Sequence, residues 1–378
     1  MPLATQTIAI LAGDGIGPEI MAPAVLLLHT LIEKGLDARL EEAQIGAAAW
    51  HLCGDPIPAE TLALARRADA VLFGAVGDAR LDHLGPKRPD AAIGGLRQGL
   101  GLINSLRHIS IPPELAGLSP LRPELVAGTD VLIVRELGGD VYFGRPRGQR
   151  AAPDGPFAGQ AEGFDTMRYA EGEVRRIAQV AFELARGRTR RLVSADKANV
   201  LETSRLWRRV VTEVGAAYPD VQLSHLYADN VAMQLVTAPC GFDVILTGNL
   251  FGDILSDVAT VLGGSIGLSG SAMFNEAGKG CYEPGHGSAW DIAGQDRANP
   301  IAQLRCVALL LRHSLGRSDL AKMVDDAIVE VLRSGLRTAD ILPQVRVPGA
   351  AHQEDCRLVG TREMGAAVVA AVARRCAR

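Results

Sequence analysis

The chain has 378 residues, 48% of them hydrophobic and only 4% aromatic, enough for two domains or one large α/β unit and poor material for an aromatic-rich β-sandwich. Its 39 basic and 43 acidic residues leave a formal charge of −4, which gives no footprint for nucleic acid or a membrane surface. Six cysteines are scattered with no C-x-x-C pair and no His/Cys cluster, which argues against a zinc site or disulfide framework and for a reducing compartment.

The opening "MPLATQTIAILAGDG" runs straight into a strand, with no basic and apolar leader pattern and no long apolar span. A cytoplasmic protein is expected. "TIAILAG" (7–13) reads as a buried strand ending in glycine. "GDGIGPEI" then turns into a helix that continues to about Gly35, with Pro18 suited to the first turn. "ADAVLFGAVG" (68–77) is a second buried strand, and this βα alternation predicts a mostly parallel sheet.

Residues 86–128 are rich in Gly, Pro and Arg and read as irregular. "TDVLIVREL" (129–137) and "GDVYFGRPRG" (139–148) are strand-like, and 152–159 is loop. "EGEVRRIAQVAFELARG" is an amphipathic helix, followed by the solvated basic loop "RGRTRR" (186–191). "RLVSADKANV" is a strand turning into a helix over 200–215. "VQLSHLYADN" and "FDVILTGN" are further strands, each followed by a helix start. The glycine-rich stretch 263–287 interrupts the alternation, and helices are expected at 300–315, 318–334 and 361–375. There is no internal repeat or low-complexity linker, so a second domain is expected as an insertion within the first.

Four groups of residues could carry chemistry. "GDGIG" fails the G-x-G-x-x-G fingerprint and lacks the G-x-x-x-x-G-K-[ST] of a P-loop, so it reads either as an anion cradle or as a plain tight turn. Arg97, Arg107 and Arg135 would suit a di- or tricarboxylic acid through bidentate hydrogen bonds, although each taken singly is an ordinary surface arginine. Lys197 follows a buried strand, where a desolvated amine can lose its proton and act as a base; pairing with Asp196 or Glu202 is the alternative. A single tyrosine in a strand, as Tyr142 reads here, is far more often a core or rim residue than a catalyst.

The last group is acidic. Asp253 and Asp257 stand four apart in "TGNLFGDILSD", where like charges on one helical face repel by a few tenths of a kcal/mol. Asp229 ends the preceding strand "LYADN". Three carboxylates at neighbouring strand ends with no obvious lysine partner make a hard, all-oxygen site for Mg²⁺ or Mn²⁺, which would turn the repulsion into attraction.

These stretches, together with "LSPLRPELVAGTDVLIVREL" and "YEPGHGSAWDIAGQDRANP", are collinear over nearly the whole chain. The sequence resembles the β-decarboxylating dehydrogenases of the isocitrate/isopropylmalate type, most closely the isopropylmalate branch. The resemblance implies two open α/β domains sharing a long mixed sheet, distinct from the Rossmann fold. The larger NAD-binding domain would comprise 1–102 and 264–378. An inserted domain over 103–263 would supply homodimer contacts, with the active site in the cleft between domains.

It also implies roles. Arg97, Arg107 and Arg135 would hold the two carboxylates of a 3-substituted (2R)-malate. Asp253 and Asp257, with Asp229 from a second subunit, would hold the metal. Lys197, also from that subunit, would take the hydroxyl proton as hydride leaves C2 for NAD⁺, and after loss of CO₂ Tyr142 would protonate the enol carbon. Glu283, His286, Gly287, Ser288, Ala289 and Asn299 would form the adenosine pocket. Asp291 would accept both ribose hydroxyls, which predicts NAD⁺ over NADP⁺.

Some positions depart from the family pattern. The run before the first arginine is "AAIGGLR", leaving Ile93 with Gly94 and Gly95 where bulky aliphatics are general, so an apolar and roomier pocket for the C3 substituent is expected. His108 stands for a proline, Asp140 for a glycine, "DNVAM" for "DAMAM", and Gly285 and Trp290 for a valine and a proline. A paralogue acting on another 3-substituted malate, D-malate or tartrate is therefore a rival reading. A non-catalytic regulatory subunit is a second, weakened by retention of the tyrosine, the lysine and all three aspartates.

Overall fold

The computed structural model describes residues 5–342 and 356–377. In chain order the main elements are β1 (Gln6–Gly13), α1 (Gly17–Glu33), β2 (Ala38–Glu42), α2 (Ala47–Cys53), α3 (Ala59–Arg67), β3 (Ala70–Ala75), α4 (Ala91–Leu100), β4 (Asn104–Ile111), α5 (Pro123–Val126) and β5 (Thr129–Glu136). They continue with β6 (Gly148–Ala151), β7 (Ala161–Phe164), α6 (Glu171–Arg186), β8 (Arg191–Asp196), α7 (Glu202–Gly215), β9 (Gln222–Tyr227), α8 (Ala228–Thr237), β10 (Val244–Thr247) and α9 (Asn249–Val261). The last are β11 (Gly270–Phe274), β12 (Gly280–Pro284), α10 (Ile301–His313), α11 (Ser318–Arg333) and α12 (Thr361–Cys376).

The chain divides into two compact units. The first comprises Met1–Leu102, Arg107–Thr129 and Ala259–Arg378, and the second Ile103–Leu106 and Asp130–Val258. In the first unit β1 pairs in parallel with β2 and β3, β3 in parallel with β12, and β12 antiparallel with β11, so the sheet is mixed. β3 is buried at every position, as its unbroken apolar run requires of a central strand. The core between this sheet and its helices gathers Ile8, Leu27, Leu72, Leu304, Val324 and Val368.

In the second unit β10 lies between β5 and β8, β8 pairs onward with β9, and all these pairings are parallel. α6 buries Val174, Ile177, Ala181 and Phe182, spaced as one helical face. β6 and β7 form an antiparallel hairpin whose residues are exposed or half-exposed.

Three expectations need correction. The irregular stretch 86–128 contains α4 and β4. "GDVYFGRPRG" is a turn up to its last glycine, because Asp140 has φ 72 and the backbone cannot extend through it. Asp229 lies in the first turn of α8, after β9 has ended.

Candidate active site

The carboxyl ends of the parallel strands in the second unit collect the polar groups. Arg135, near the end of β5, is buried although charged. Its Nε and Nη2 donate to Asn249 Oδ1 at 3.0 and 2.7 Å, and Nη1 donates to Asp253 Oδ1. Tyr142, 37% exposed, donates its hydroxyl to the other oxygen of Asp253. One carboxylate thus gathers the guanidinium and the phenol. Gly252 makes this approach possible, since a Cβ there would lie 2.6 Å from Arg135 Cγ.

Lys197 follows β8 and pairs with Asp229 Oδ1 at 2.6 Å. Its sequence neighbours are engaged elsewhere, Asp196 with Arg208 and Glu202 with Arg205. The hydrogen bond from Lys197 holds the Asp229 carboxyl below its ordinary range. Three carboxylates without a lysine partner is therefore not what this chain presents.

Asp257 is one turn beyond Asp253 on α9 and exposed. Asp229 shares the exposed face of α8 with Met233 and Val236, and Asp257 shares that of α9 with Ile254 and Val261. Among the described residues of the single chain, no three His, Cys, Asp or Glu side chains come together as a metal site. Asp253 nevertheless already holds one cation, the Arg135 guanidinium.

The first unit carries the remaining candidates. Arg97 on α4 donates to Glu283 Oε1 of β12 at 3.0 Å. Arg107 is buried on β4, and a Cβ on Gly285 would lie 3.1 Å from its Cζ, so the glycine leaves room for the guanidinium. Ile93 is half-buried one turn before Arg97, and a Cβ on Gly94 would meet nothing within 4 Å.

The loop 286–291 is held by backbone contacts. Ser288 O accepts from Ile16 N at 2.8 Å, and a Cβ on Gly15 would come within 1.9 Å of that oxygen. Gly13 meets Ala75 O just as closely, so these glycines of "GDGIG" serve close backbone approach. Trp290 donates to Gly77 O at 2.6 Å, with Arg80 stacked 4.4 Å above its ring. The buried Asp14 accepts from Ala47, Ala48 and Gly77 amides. Burial still pushes its carboxyl above the usual range.

His286, Ala289 and Asn299 line a cavity of about 340 Å³ with Ile16, Ile292 and Asp340. His286 Nδ1 lies 3.0 Å from Gly287 O, so Nδ1 carries the proton, and the buried Nε2 has no protein partner. Burial keeps this imidazole below its ordinary pKa and neutral. Asn299 donates to Asp340 Oδ2 at 3.0 Å and accepts from Ile301 N. Asp291 is exposed. A cavity with a neutral ring acceptor and a solvent-facing carboxylate at its loop suits an adenosine moiety.

Sequence reasoning did not find Asn249, Asp340 or the anchoring of Trp290 to Gly77 as parts of these arrangements. Asn249 was visible only as the residue opening a helix; the others stand too far along the chain from their partners for any spacing rule.

The basic and acidic groups gathered at strand ends stand where α/β sheets bind ligands, and guanidinium groups there suit a carboxylic acid. The family model for isocitrate/isopropylmalate dehydrogenase matches residues 7–368. The chain is 56% identical over 366 residues to a 3-isopropylmalate dehydrogenase of Burkholderia pseudomallei, covering 97% of this chain and 99% of that one. It is 55% identical over 370 residues to that of Bordetella avium, covering 98% and 100%. Among solved structures it is similar to an isocitrate dehydrogenase from Methylococcus capsulatus (TM-score 0.81, 29% identity, 97% and 99% coverage). It is also similar to a β-decarboxylating dehydrogenase from Thermococcus kodakarensis (TM-score 0.74, 32% identity, 97% and 96% coverage).

The chain belongs to the isocitrate/isopropylmalate dehydrogenase family and shares its α/β fold. It is by class an NAD-dependent, decarboxylating oxidoreductase acting on a 3-substituted malate. Among the described residues no helix is long and apolar enough to cross a membrane.

Proposed function

We propose that the protein oxidatively decarboxylates 3-isopropylmalate to 2-oxo-4-methylpentanoate, the reaction of leucine biosynthesis, with NAD⁺ and Mg²⁺ or Mn²⁺. The observation carrying this reading is the meeting of Arg135 and Tyr142 on Asp253, which joins an anion-binding group, a proton donor and a metal-type ligand. The relatives' names support the substrate.

Arg97, Arg107 and Arg135 bind the two carboxylates and fix C2 and C3 in the chain's frame. Lys197 takes the proton from the C2 hydroxyl, and Tyr142 returns one to C3 after CO₂ has left. Asp253, Asp257 and Asp229 hold the divalent cation, which when bound supplies Lewis-acid stabilisation of the developing enolate. Glu283, His286, Gly287, Ser288, Ala289, Asp291 and Asn299 hold the NAD⁺ that accepts the hydride.

The first unit binds the cofactor, and the second mediates a homodimer in which Asp229 and Lys197 serve the neighbouring subunit. The exposed apolar residues on α8 and α9 support that arrangement, because each stripe includes one of the metal-type aspartates. Met233 is 63% and Ile254 56% exposed, and each lies on the same helical face as its aspartate. The exposed β6–β7 hairpin supports it too. Six cysteines, none paired in a disulfide, suit the cytoplasm.

A second reading has an observation of its own. The open space at Gly94, beside Ile93 and one turn before Arg97, favours a paralogue with a bulkier C3 substituent. A substrate panel decides: NADH formation with Mn²⁺ on D-malate, tartrate, isocitrate, homoisocitrate and 3-alkylmalates of increasing size, ranked by kcat/KM. The highest value for 3-isopropylmalate is expected. A larger value for another acid reassigns the substrate, and no turnover of any acid refutes the enzyme reading.

A further inference from the structure

Asp140 is a non-glycine residue at φ 72, and its side chain is 1% exposed. Both features cost free energy, the left-handed backbone modestly for an aspartate and burial of a carboxylate more unless every oxygen is satisfied. The hydrogen bonds account for the burial. Oδ1 accepts from Val141 N at 2.7 Å. Oδ2 accepts from Leu250 N, in the first turn of α9, at 3.1 Å and lies 3.3 Å from the Tyr169 hydroxyl. Its own amide donates to Arg168 O, and its carbonyl accepts from Gly144 N.

Tyr169 continues the connection. Its oxygen accepts from Asn249 N at 2.8 Å, so the phenol and the carboxylate between them take the first two amides of α9. Asn249 in turn accepts from Arg135 through Oδ1 and donates to Leu137 O and Gly139 O through Nδ2. Gly139 and Gly248 let these groups close up: a Cβ on Gly139 would lie 2.4 Å from the Tyr169 ring, and one on Gly248 3.1 Å from its hydroxyl. The network is local to the second unit and reaches the substrate-binding Arg135 through Asn249.

We infer that Asp140 is a positioning residue, a buried carboxylate that ties the turn bearing Tyr142 to the N-terminus of the helix bearing Asp253 and Asp257. Only Val141 separates it from Tyr142 along the chain, and Leu250 is one turn before Asp253 and Ile254. A negative charge at that helix end is also favourable to the helix dipole. The φ at this position would suit glycine better, so the conformation alone gives no reason for an aspartate; the carboxylate does. This inference rests on the catalytic and metal roles proposed above.

The test uses the full-length protein with Mn²⁺ as probe. Asp140→Gly keeps the backbone conformation available and removes only the carboxylate; Tyr169→Phe removes the hydroxyl and keeps the ring. Free Mn²⁺ is measured by its electron paramagnetic resonance signal, turnover by NADH formation, and folding by circular dichroism and Tm. For each variant we expect Mn²⁺ affinity and kcat to fall about 10- to 100-fold, as for other groups that orient metal ligands, with Tm little changed. The double variant should lose less than the product of the two single losses, because both act on one helix end. Wild-type affinity and kcat in both folded variants overturn the inference, as does full additivity. If the wild-type protein itself neither binds Mn²⁺ nor turns over, the functional reading fails first and the positioning role falls with it.

Discussion

Lys197 and Asp229 form a 2.6 Å ion pair that joins the end of β8 to the first turn of α8. An amine so paired is held at a fixed point rather than sweeping solvent. Transfer of Asp229 to a metal would release it as a base. Lys197→Ala should lower kcat by about 10²- to 10⁴-fold, the usual contribution of a positioned proton acceptor, while NAD⁺ binding by fluorescence titration is unchanged. Near-normal turnover would remove Lys197 from the mechanism.

Tyr142 reaches Asp253 through its hydroxyl, and Tyr142→Phe removes that hydroxyl while keeping the ring. Oxidation precedes protonation in the proposed sequence. The variant should therefore release NADH in a first turnover and then slow, with steady-state kcat down by about 10²-fold or more. Rapid-mixing absorbance at the NADH band separates the two phases. An equal loss in both would place Tyr142 in substrate binding or in the oxidation step.

Much of the fold was legible because local pattern and tertiary burial agree. β3 is apolar throughout and buried throughout, and the apolar stripe of α6 is the face it buries. α4 was hidden by Gly94, Gly95 and Gly99, which lower helix propensity by about 1 kcal/mol each. At Gly99 the reason is packing: a Cβ would stand 2.4 Å from Leu62 Cδ1. The false strand at 139–148 has the β-prone run Val141, Tyr142 and Phe143, yet Asp140 and the crowding of Gly144 against Thr166 O turn the chain.

The candidate site divides the same way. Arg135 and Asp253 could be picked out from strand and helix ends, but their pairing could not, since 118 residues separate them. The partner of Lys197 lies 32 residues away, whereas the sequence offered Asp196 and Glu202 close by. Local charge spacing had no means of choosing among them; the parallel alignment of β8 and β9 did, by bringing their carboxyl ends together.

His286 gives a pH prediction. Burial depresses its folded-state pKa below the ordinary value of about 6.5, so below that pH the unfolded chain binds more protons than the native one. The stability it supports is complete above about pH 6.5 and is lost as pH falls through the lower folded-state value. Between pH 7.5 and 5.5, urea unfolding without cofactor should show a smaller loss of stability in His286→Asn than in the wild type. Buried Asp14 and Glu136, whose carboxyls are pushed upward, are present in both proteins and cancel in the comparison. Equal slopes would mean the imidazole is already solvated.

Asp291 tests cofactor choice from the solvent side. Its carboxylate is exposed on the loop that Trp290 anchors to Gly77, so substitution should leave the loop in place. Hydrogen bonds to a charged group contribute about 1.5–3 kcal/mol, so Asp291→Ala should lower kcat/KM for NAD⁺ roughly 10- to 100-fold. A 2′-phosphate at that position meets repulsion from the carboxylate, and NADP⁺ use should not fall with it. The ratio of the two specificity constants in wild type and variant is the measurement. A wild-type protein that reduces NADP⁺ as well as NAD⁺, or a variant with an unchanged ratio, would show that some group other than Asp291 reads the ribose.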